Sequence, residues 1–268
     1  MKSRTTKALL SIAGYDPSSG AGVLLDIAVF RHLSYRGMAI LTAVTAQNTQ
    51  KVKEFRCLPP QFILSQYQTL AGEISFAGIK VGMVGCRKNL RVLGRILEEN
   101  KNIPIVVDPV FRSSSGTWLL EKEAIPAYIS RIKGKISVLM PNLTEAALIC
   151  GHSVRNLEEM KEAARKIYDL VESPCSIKGG HLEKGVIDLL FDGRRFHLFE
   201  IEKIRKDVHG TGCFLSSSLL GFLAKGHPLV KACELALELT HDAIRKAVRV
   251  GKKRYIFPLF FLERGLQD

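Results

Sequence analysis

The sequence predicts an α/β fold, a mostly parallel central sheet with helices on both faces and an antiparallel hairpin near residues 186–201. Three observations carry this. Up to about residue 175, short apolar runs alternate with amphipathic runs at helical spacing, the pattern of parallel strands joined by crossover helices. Two strand-like runs then flank Asp192-Gly193-Arg194-Arg195, and Asp-Gly between strands signals a hairpin. The chain of 268 residues is 46% hydrophobic and 24% charged, enough apolar surface for one full core. There is no internal repeat and no Gly-, Ser- or Pro-rich linker, so residues 1–268 are expected to form one domain.

Taken in order, Ala8–Gly14 is a short apolar run ending in glycine, and Ala39–Ala46, Ile79–Val84, Ile103–Val110 and Ser137–Met140 continue the series. Such continuous runs suit strands buried on both faces. Leu157, Met160, Ala164, Ile167 and Val171 recur at steps of three and four, with Glu158, Glu159, Lys161 and Glu162 between them, a helical period. Cys175–Lys178 reads as a further strand, Val186–Phe191 and Phe196–Ile201 as the hairpin, and Cys213 to about Gly251 as a helical C-terminal third.

Composition excludes several classes. The longest apolar stretches, such as Ser216–Ala224 and Phe257–Leu262, are too short to cross a bilayer. The basic N-terminus is followed by an apolar patch cut off at Tyr15-Asp16-Pro17, with no cleavage-site pattern. We therefore expect a cytoplasmic protein with no membrane partner. Six cysteines (57, 86, 150, 175, 213 and 233) contain no C-x-x-C spacing, which argues against zinc or a disulfide framework. Basic residues outnumber acidic ones 39 to 26, giving +13. One cluster, Arg245, Lys246, Arg249, Lys252, Lys253 and Arg254, places its first three members at helical spacing, which a solvated face explains without a nucleic-acid partner.

In an open α/β sheet the chemistry sits at the carboxyl ends of the strands. After the first strand, Gly14 to Gly22 forms a glycine- and serine-rich loop leading to a helix that holds Asp26; it is either a close backbone approach to a ligand or a plain strand-to-helix turn. Gln47 and Asn48 follow the second strand, suited to reading a heterocycle's nitrogens or to an ordinary polar loop. Asp108 ends a strand, and Asn142 and Glu145 lie three apart where a helix begins. Such oxygens suit Mg²⁺, and Glu145 also suits a helix first turn. Lys178-Gly179-Gly180 reads as a phosphate contact or a surface turn. The strongest signal is His209-Gly210-Thr211-Gly212-Cys213 opening a long apolar helix. Its free N–H groups and helix dipole make an anion site, and Cys213 in the first turn is expected to have a lowered pKa. These parts suffice for phosphoryl transfer, which needs mainly positioning and charge neutralisation.

The motifs AGYDPSSGAG (13–22) with Asp26, TAQNT (45–49), LPPQF (58–62), KVGMVG (80–85), VVDPV (106–110), PNLTEA (141–146), IKGGH (177–181) and HGTGC (209–213) resemble the ribokinase-like superfamily. Within it they are most similar to the hydroxymethylpyrimidine and phosphomethylpyrimidine kinases of thiamine biosynthesis. The resemblance implies a ribokinase-like three-layer α/β/α fold, ATP and Mg²⁺, and a homodimer. It also implies two successive phosphorylations, of 4-amino-5-hydroxymethyl-2-methylpyrimidine and then of its monophosphate. It further implies Gly14, Asp26, Gln47, Met83 and Val110 at the substrate pocket. Asp108, Asn142, Lys178 and His209 would lie around the nucleotide, with Asp108 and Glu145 serving the metal. Gly210, Thr211 and Gly212 would form the anion hole, with Lys178 and Cys213 catalytic. Val208, Tyr15, Ser19 and Phe111-Arg112-Ser113 depart from the family pattern, which usually has threonine, a small residue, glycine and an M-V-A-like run there. Two alternatives remain. One is a pyridoxal or pyridoxine kinase, whose substrate is also a hydroxymethyl-bearing nitrogen heterocycle. The other is a basic binding protein using the fold as a scaffold, against which the complete set of phosphoryl-transfer parts argues.

Overall fold

The computed structural model describes residues 7–179, 186–250 and 254–258. Gly180 and His181 of the IKGGH run, Lys252 and Lys253 of the basic cluster, and residues 259–262 of the last apolar stretch lie outside the described residues.

A nine-stranded sheet, in the order β3-β2-β1-β4-β5-β6-β7-β8-β9, forms the middle layer. Its strands are β1 (Ala8–Tyr15), β2 (Arg36–Gln47), β3 (Val52–Cys57), β4 (Phe76–Val81), β5 (Ile105–Val107), β6 (Val138–Leu139), β7 (Cys175–Ile177), β8 (Val186–Phe191) and β9 (Phe196–Ile201). From β2 to β7 the pairing is parallel. β3, β8 and β9 pair antiparallel at the two ends, and the expected hairpin closes with Phe191 opposite Phe196. Asp192 holds its turn by accepting from the N–H groups of Arg194 and Arg195, at 2.8 Å each.

The layers follow from alternation along each strand. Leu10 and Ile12 of β1, with Ile105 and Val107 of β5, face a core shared with α2 (Pro60–Ala71), α3 (Leu90–Glu99), α4 (Ile125–Ile132), α5 (Leu143–Cys150) and α6 (Leu157–Val171). Leu9 and Val106 face the opposite core, shared with α1 (Gly22–His32), α7 (Thr211–Ala224) and α8 (Leu229–Lys246). Burial on both faces explains the unbroken apolar runs. Pro104 and Pro109, which lack an N–H to donate, flank the three-residue β5. No helix among the described residues is long and apolar enough to cross a membrane.

Two expectations need correction. The charged edge strand β3 carries no hydrophobic alternation and escaped the sequence reading; charge along an edge discourages pairing with another sheet. The C-terminal helix stops at Lys246, and β10 (Val248–Val250) pairs with β11 (Arg254–Ile256). Arg249 therefore sits on a strand and does not share a helix face with Arg245 and Lys246, which pair with Glu202 and Asp242.

Candidate active site

Strand order reverses at β1, which has β2 on one side and β4 on the other. Ligands of open α/β sheets bind in the crevice at such a switch point, and the singled-out residues gather there.

Gly14 at the end of β1 lies against Met83 from the loop after β4: a Cβ on Gly14 would stand 2.9 Å from the Met83 sulfur. Thr42 donates to the Met83 carbonyl (2.6 Å) and fixes that loop. Met83 packs with Ala43 and Leu119, and Val110, Phe55 and Val52 close the same apolar patch. Gly14, Met83 and Val110 thus form one wall. Gln47, at the end of β2, lies close enough to Asp16 to help lower its pKa, so the amide expected to read a heterocycle lies beside the glycine-rich loop.

Asp16 was not singled out in the sequence, yet it organises the crevice. It accepts from the Ser18 N–H and hydroxyl (2.8 and 2.7 Å) and pairs with His209 Nε2 at 2.9 Å. Burial pushes its pKa up, but the bonds from His209, Ser18 and Gln47 outweigh this and hold the carboxyl below its ordinary value. His209 is thereby an anchor between the first loop and the start of α7. The two loops touch at backbone level. Gly210 has φ +83°, and a Cβ there would lie 1.9 Å from the Gly20 carbonyl oxygen, so glycine is required on conformational and steric grounds.

Past Gly210 the first turn of α7 points free N–H groups outward. A Cβ on Gly212 would stand 3.3 Å from Lys178 Nζ and 3.5 Å from Asp108 Oδ2. Lys178 and Asp108 form an ion pair at 2.5 Å with little exposure. Burial works against the lysine's charge, but Asp108 and Glu145 raise its pKa. Gly212, Lys178 and Asp108 are therefore brought together at the start of α7, with Thr211 as its first residue.

Asn142 and Glu145 have a structural duty. Asn142 caps α5 by accepting from the Glu145 N–H (2.9 Å), and Glu145 Oε2 accepts from the Asn142 N–H (2.8 Å), a capping box. Burial pushes Glu145 up to about 7, with Lys178 lowering it and Asp108 raising it. Tyr128 is fully buried near these acids, and its hydroxyl has no partner among the described residues.

Two expectations fail here. Asp26 is 0% exposed and its oxygens are engaged by Lys80 (3.0 and 2.9 Å), Ser11 (2.5 Å) and Ser217 (2.8 Å). It is enclosed and paired with Lys80 and has no exposed surface to offer a substrate. Burial weighs against the Lys80 charge, yet Asp26, Cys213 and Asp108 keep its pKa above the ordinary value. The Cys213 thiol is not lowered: burial pushes it up to about 11, Lys80 pulling against Asp26 and Asp108. Sequence reasoning credited the helix start and named Asp26 and Asp108, but gave no sign that folding brings both carboxylates near the thiol. It also missed Lys80 and Asp188. Asp188 accepts from the Gly179 N–H at 2.8 Å and is raised to about 6 by burial, despite Gly179 and Lys178. A strand acid on an apolar run (VIDLLF) was the available signal.

Comparison with known proteins gives the family and the fold. A hydroxymethylpyrimidine/phosphomethylpyrimidine kinase of Aquifex aeolicus is 38% identical over 245 residues, 91% of this chain and 96% of that protein. The structure superposes on Bacillus subtilis pyridoxal kinase, solved with ADP, with a TM-score of 0.87 at 26% identity, covering 97% of this chain and 99% of that one. It also superposes on phosphomethylpyrimidine kinase of Clostridium difficile, TM-score 0.77 at 31% identity, covering 89% and 100%. The fold is therefore ribokinase-like, as the motifs implied. Residues 16–258 match the family model described as phosphomethylpyrimidine kinase, and the chain belongs to that family.

Proposed function

We propose that this chain phosphorylates the hydroxymethyl group of 4-amino-5-hydroxymethyl-2-methylpyrimidine from ATP, and then the resulting monophosphate to the diphosphate. The observation that carries this is the convergence of Lys178, Asp108 and the Gly210–Gly212 turn on one point beside a pocket walled by Gly14, Met83 and Val110. The turn's N–H groups receive charge developing on the transferring phosphoryl oxygens, and Lys178 neutralises it. Gln47 reads the aminopyrimidine, and His209 and Asp16 hold the first loop against the turn. Asn142, capping α5, keeps the nucleotide side of the crevice in place. Because the transition state is loose, the acceptor proton need not leave early. Cys213, raised to about 11, acts as a neutral thiol hydrogen-bonding at the acceptor oxygen.

Mg²⁺ keeps several waters and takes one or two carboxylates plus substrate phosphates. Asp108 and Glu145 fit that demand: hard oxygens, close enough for Asp108 to raise the cost of charging Glu145, with no cage of three ligands among the described residues. The ion would supply charge neutralisation on the phosphates. The reading includes a single kinase domain acting in the cytoplasm as a homodimer.

A second reading, a pyridoxal kinase, is favoured by the higher TM-score to the B. subtilis enzyme. Mass spectrometry of products from Mg-ATP with the pyrimidine, and with pyridoxal in parallel, separates them. A pyrimidine diphosphate is expected; pyridoxal phosphate with no pyrimidine product moves the substrate to vitamin B6 compounds and overturns the first reading.

A further inference from the structure

The C-terminal strand β11 reaches the active site, although no motif used it. Its backbone sets the approach to the anion turn: Tyr255 O accepts from the His209 N–H (2.9 Å), and the Tyr255 N–H donates to Asp207 O (3.1 Å). Phe257, two residues on, stacks on Phe214 of α7 with ring centroids 4.4 Å apart. From this anchored strand the Arg254 guanidinium extends to three separate segments. Nε donates to Asp207 Oδ2 (2.8 Å), and Nη1 to the Thr49 carbonyl (3.3 Å) and the Ser114 hydroxyl (2.8 Å). Asp207 precedes the anion turn, Thr49 follows Gln47, and Ser114 lies at the tip of a hairpin after β5.

That hairpin closes between Arg112 and Trp118. Arg112 lies over the Trp118 ring at 4.6 Å and donates to the Gly116 carbonyl (3.2 Å). Its base carries Val110 and Leu119, both in the apolar wall of the pocket. The hairpin tip is exposed, and among the described residues the Arg254–Ser114 hydrogen bond ties the tip to the other loops. A planar guanidinium with several fixed donors can hold three acceptors at once; an ammonium presents a single point.

We infer that Arg254 is a positioning residue that latches the 112–118 hairpin over the crevice, tying it to the loop bearing Gln47 and to the turn that receives the phosphoryl group. The latch rests on the proposed kinase reading only for its effect on turnover; its effect on the hairpin does not depend on that reading.

The chain has a single tryptophan, Trp118, which reports the hairpin directly. In Arg254→Ala, acrylamide quenching of Trp118 in the ligand-free protein is expected to rise at least about twofold as the tip is released. Its kcat is expected to fall by about 10- to 100-fold with a smaller change in KM, because misplaced loops cost chemistry more than binding. Arg254→Lys should recover only part of both. Ser114→Ala, at an exposed position, should raise quenching without loss of fold and so decides the matter if Arg254→Ala does not fold. Quenching unchanged in both variants overturns the latch, and so does raised quenching with kcat within about twofold of wild type. An inactive wild type with raised quenching in the variants would instead sink the kinase reading and leave the hairpin contact standing.

Discussion

At pH 7.5 a Cys213 thiol raised to about 11 is only about 0.03% thiolate in the free protein. Bound phosphates add negative charge and lower that fraction further. If the reaction needed the thiolate, kcat/KM would climb tenfold per pH unit, or ~100-fold between pH 7.5 and 9.5. We expect it to stay flat there to within about twofold, because a neutral thiol serves as a hydrogen-bonding group. The same argument fixes the variants. Cys213→Ser keeps a neutral donor and should retain kcat to within about tenfold, whereas Cys213→Ala loses it and should fall at least ~10²-fold, the scale of one transition-state hydrogen bond. On the acid side the limb should belong to Glu145, raised to about 7: protonation removes its charge, so kcat/KM should fall as pH drops below 7. The assay is steady-state ADP release across pH 5.5–9.5, with wild type and both variants. A tenfold-per-unit rise through pH 9.5, joined with an inactive Cys213→Ser, would refute the neutral-thiol reasoning and make Cys213 a general base.

Three further outcomes test the buried charges and the glycine turn. Lys80→Met leaves the enclosed Asp26 carboxylate unpaired and should cost about 3–5 kcal/mol in urea unfolding; Lys80→Met with Asp26→Leu should recover part of it, and equal losses would disprove the pairing argument. Asp188 has a folded pKa of about 6 against an unfolded value near 3.9, so between these the folded state binds more protons and stability falls as pH rises. The penalty reaches ~3 kcal/mol above pH 6, so Asp188→Asn should stabilise the protein at pH 8 and hardly at pH 4, by thermal or urea midpoint; the same gain at both pH values would contradict it. Gly210→Ala puts a Cβ on the Gly20 carbonyl and must part the two loops. A displacement of that kind should lower kcat/KM by at least ~10²-fold with far-UV circular dichroism retained, and near-normal turnover would show that the turn is not held as described.

Much of this molecule was legible in the linear chain. The helix at Leu157–Val171 and the hairpin strands at Val186–Phe191 and Phe196–Ile201 match the structure residue for residue. Their signals are local: a 3.6-residue period, and a turn dipeptide between β-rich runs. The anion turn was legible too, because glycines before an apolar helix have few other uses. β3 was not, since Lys53, Glu54 and Arg56 interrupt its apolar residues and only tertiary packing buries Val52 and Phe55 in part.

What the sequence by itself determined was therefore the alternation of the central strands and helices and the turns where chemistry is attached, since periodicity and turn composition act between neighbours in the chain. What only the tertiary structure decided was the state of each charged group. Asp26 pairs with Lys80 across 54 positions and Asp16 with His209 across 193. Arg254 joins segments that no local pattern links to it. A pKa depends on burial and on charges a few ångströms away, so Cys213 had the helix start that lowers a thiol and still ended near 11, because burial and the carboxylates of Asp26 and Asp108 outweigh the pull of Lys80 and of the Gly22 N–H.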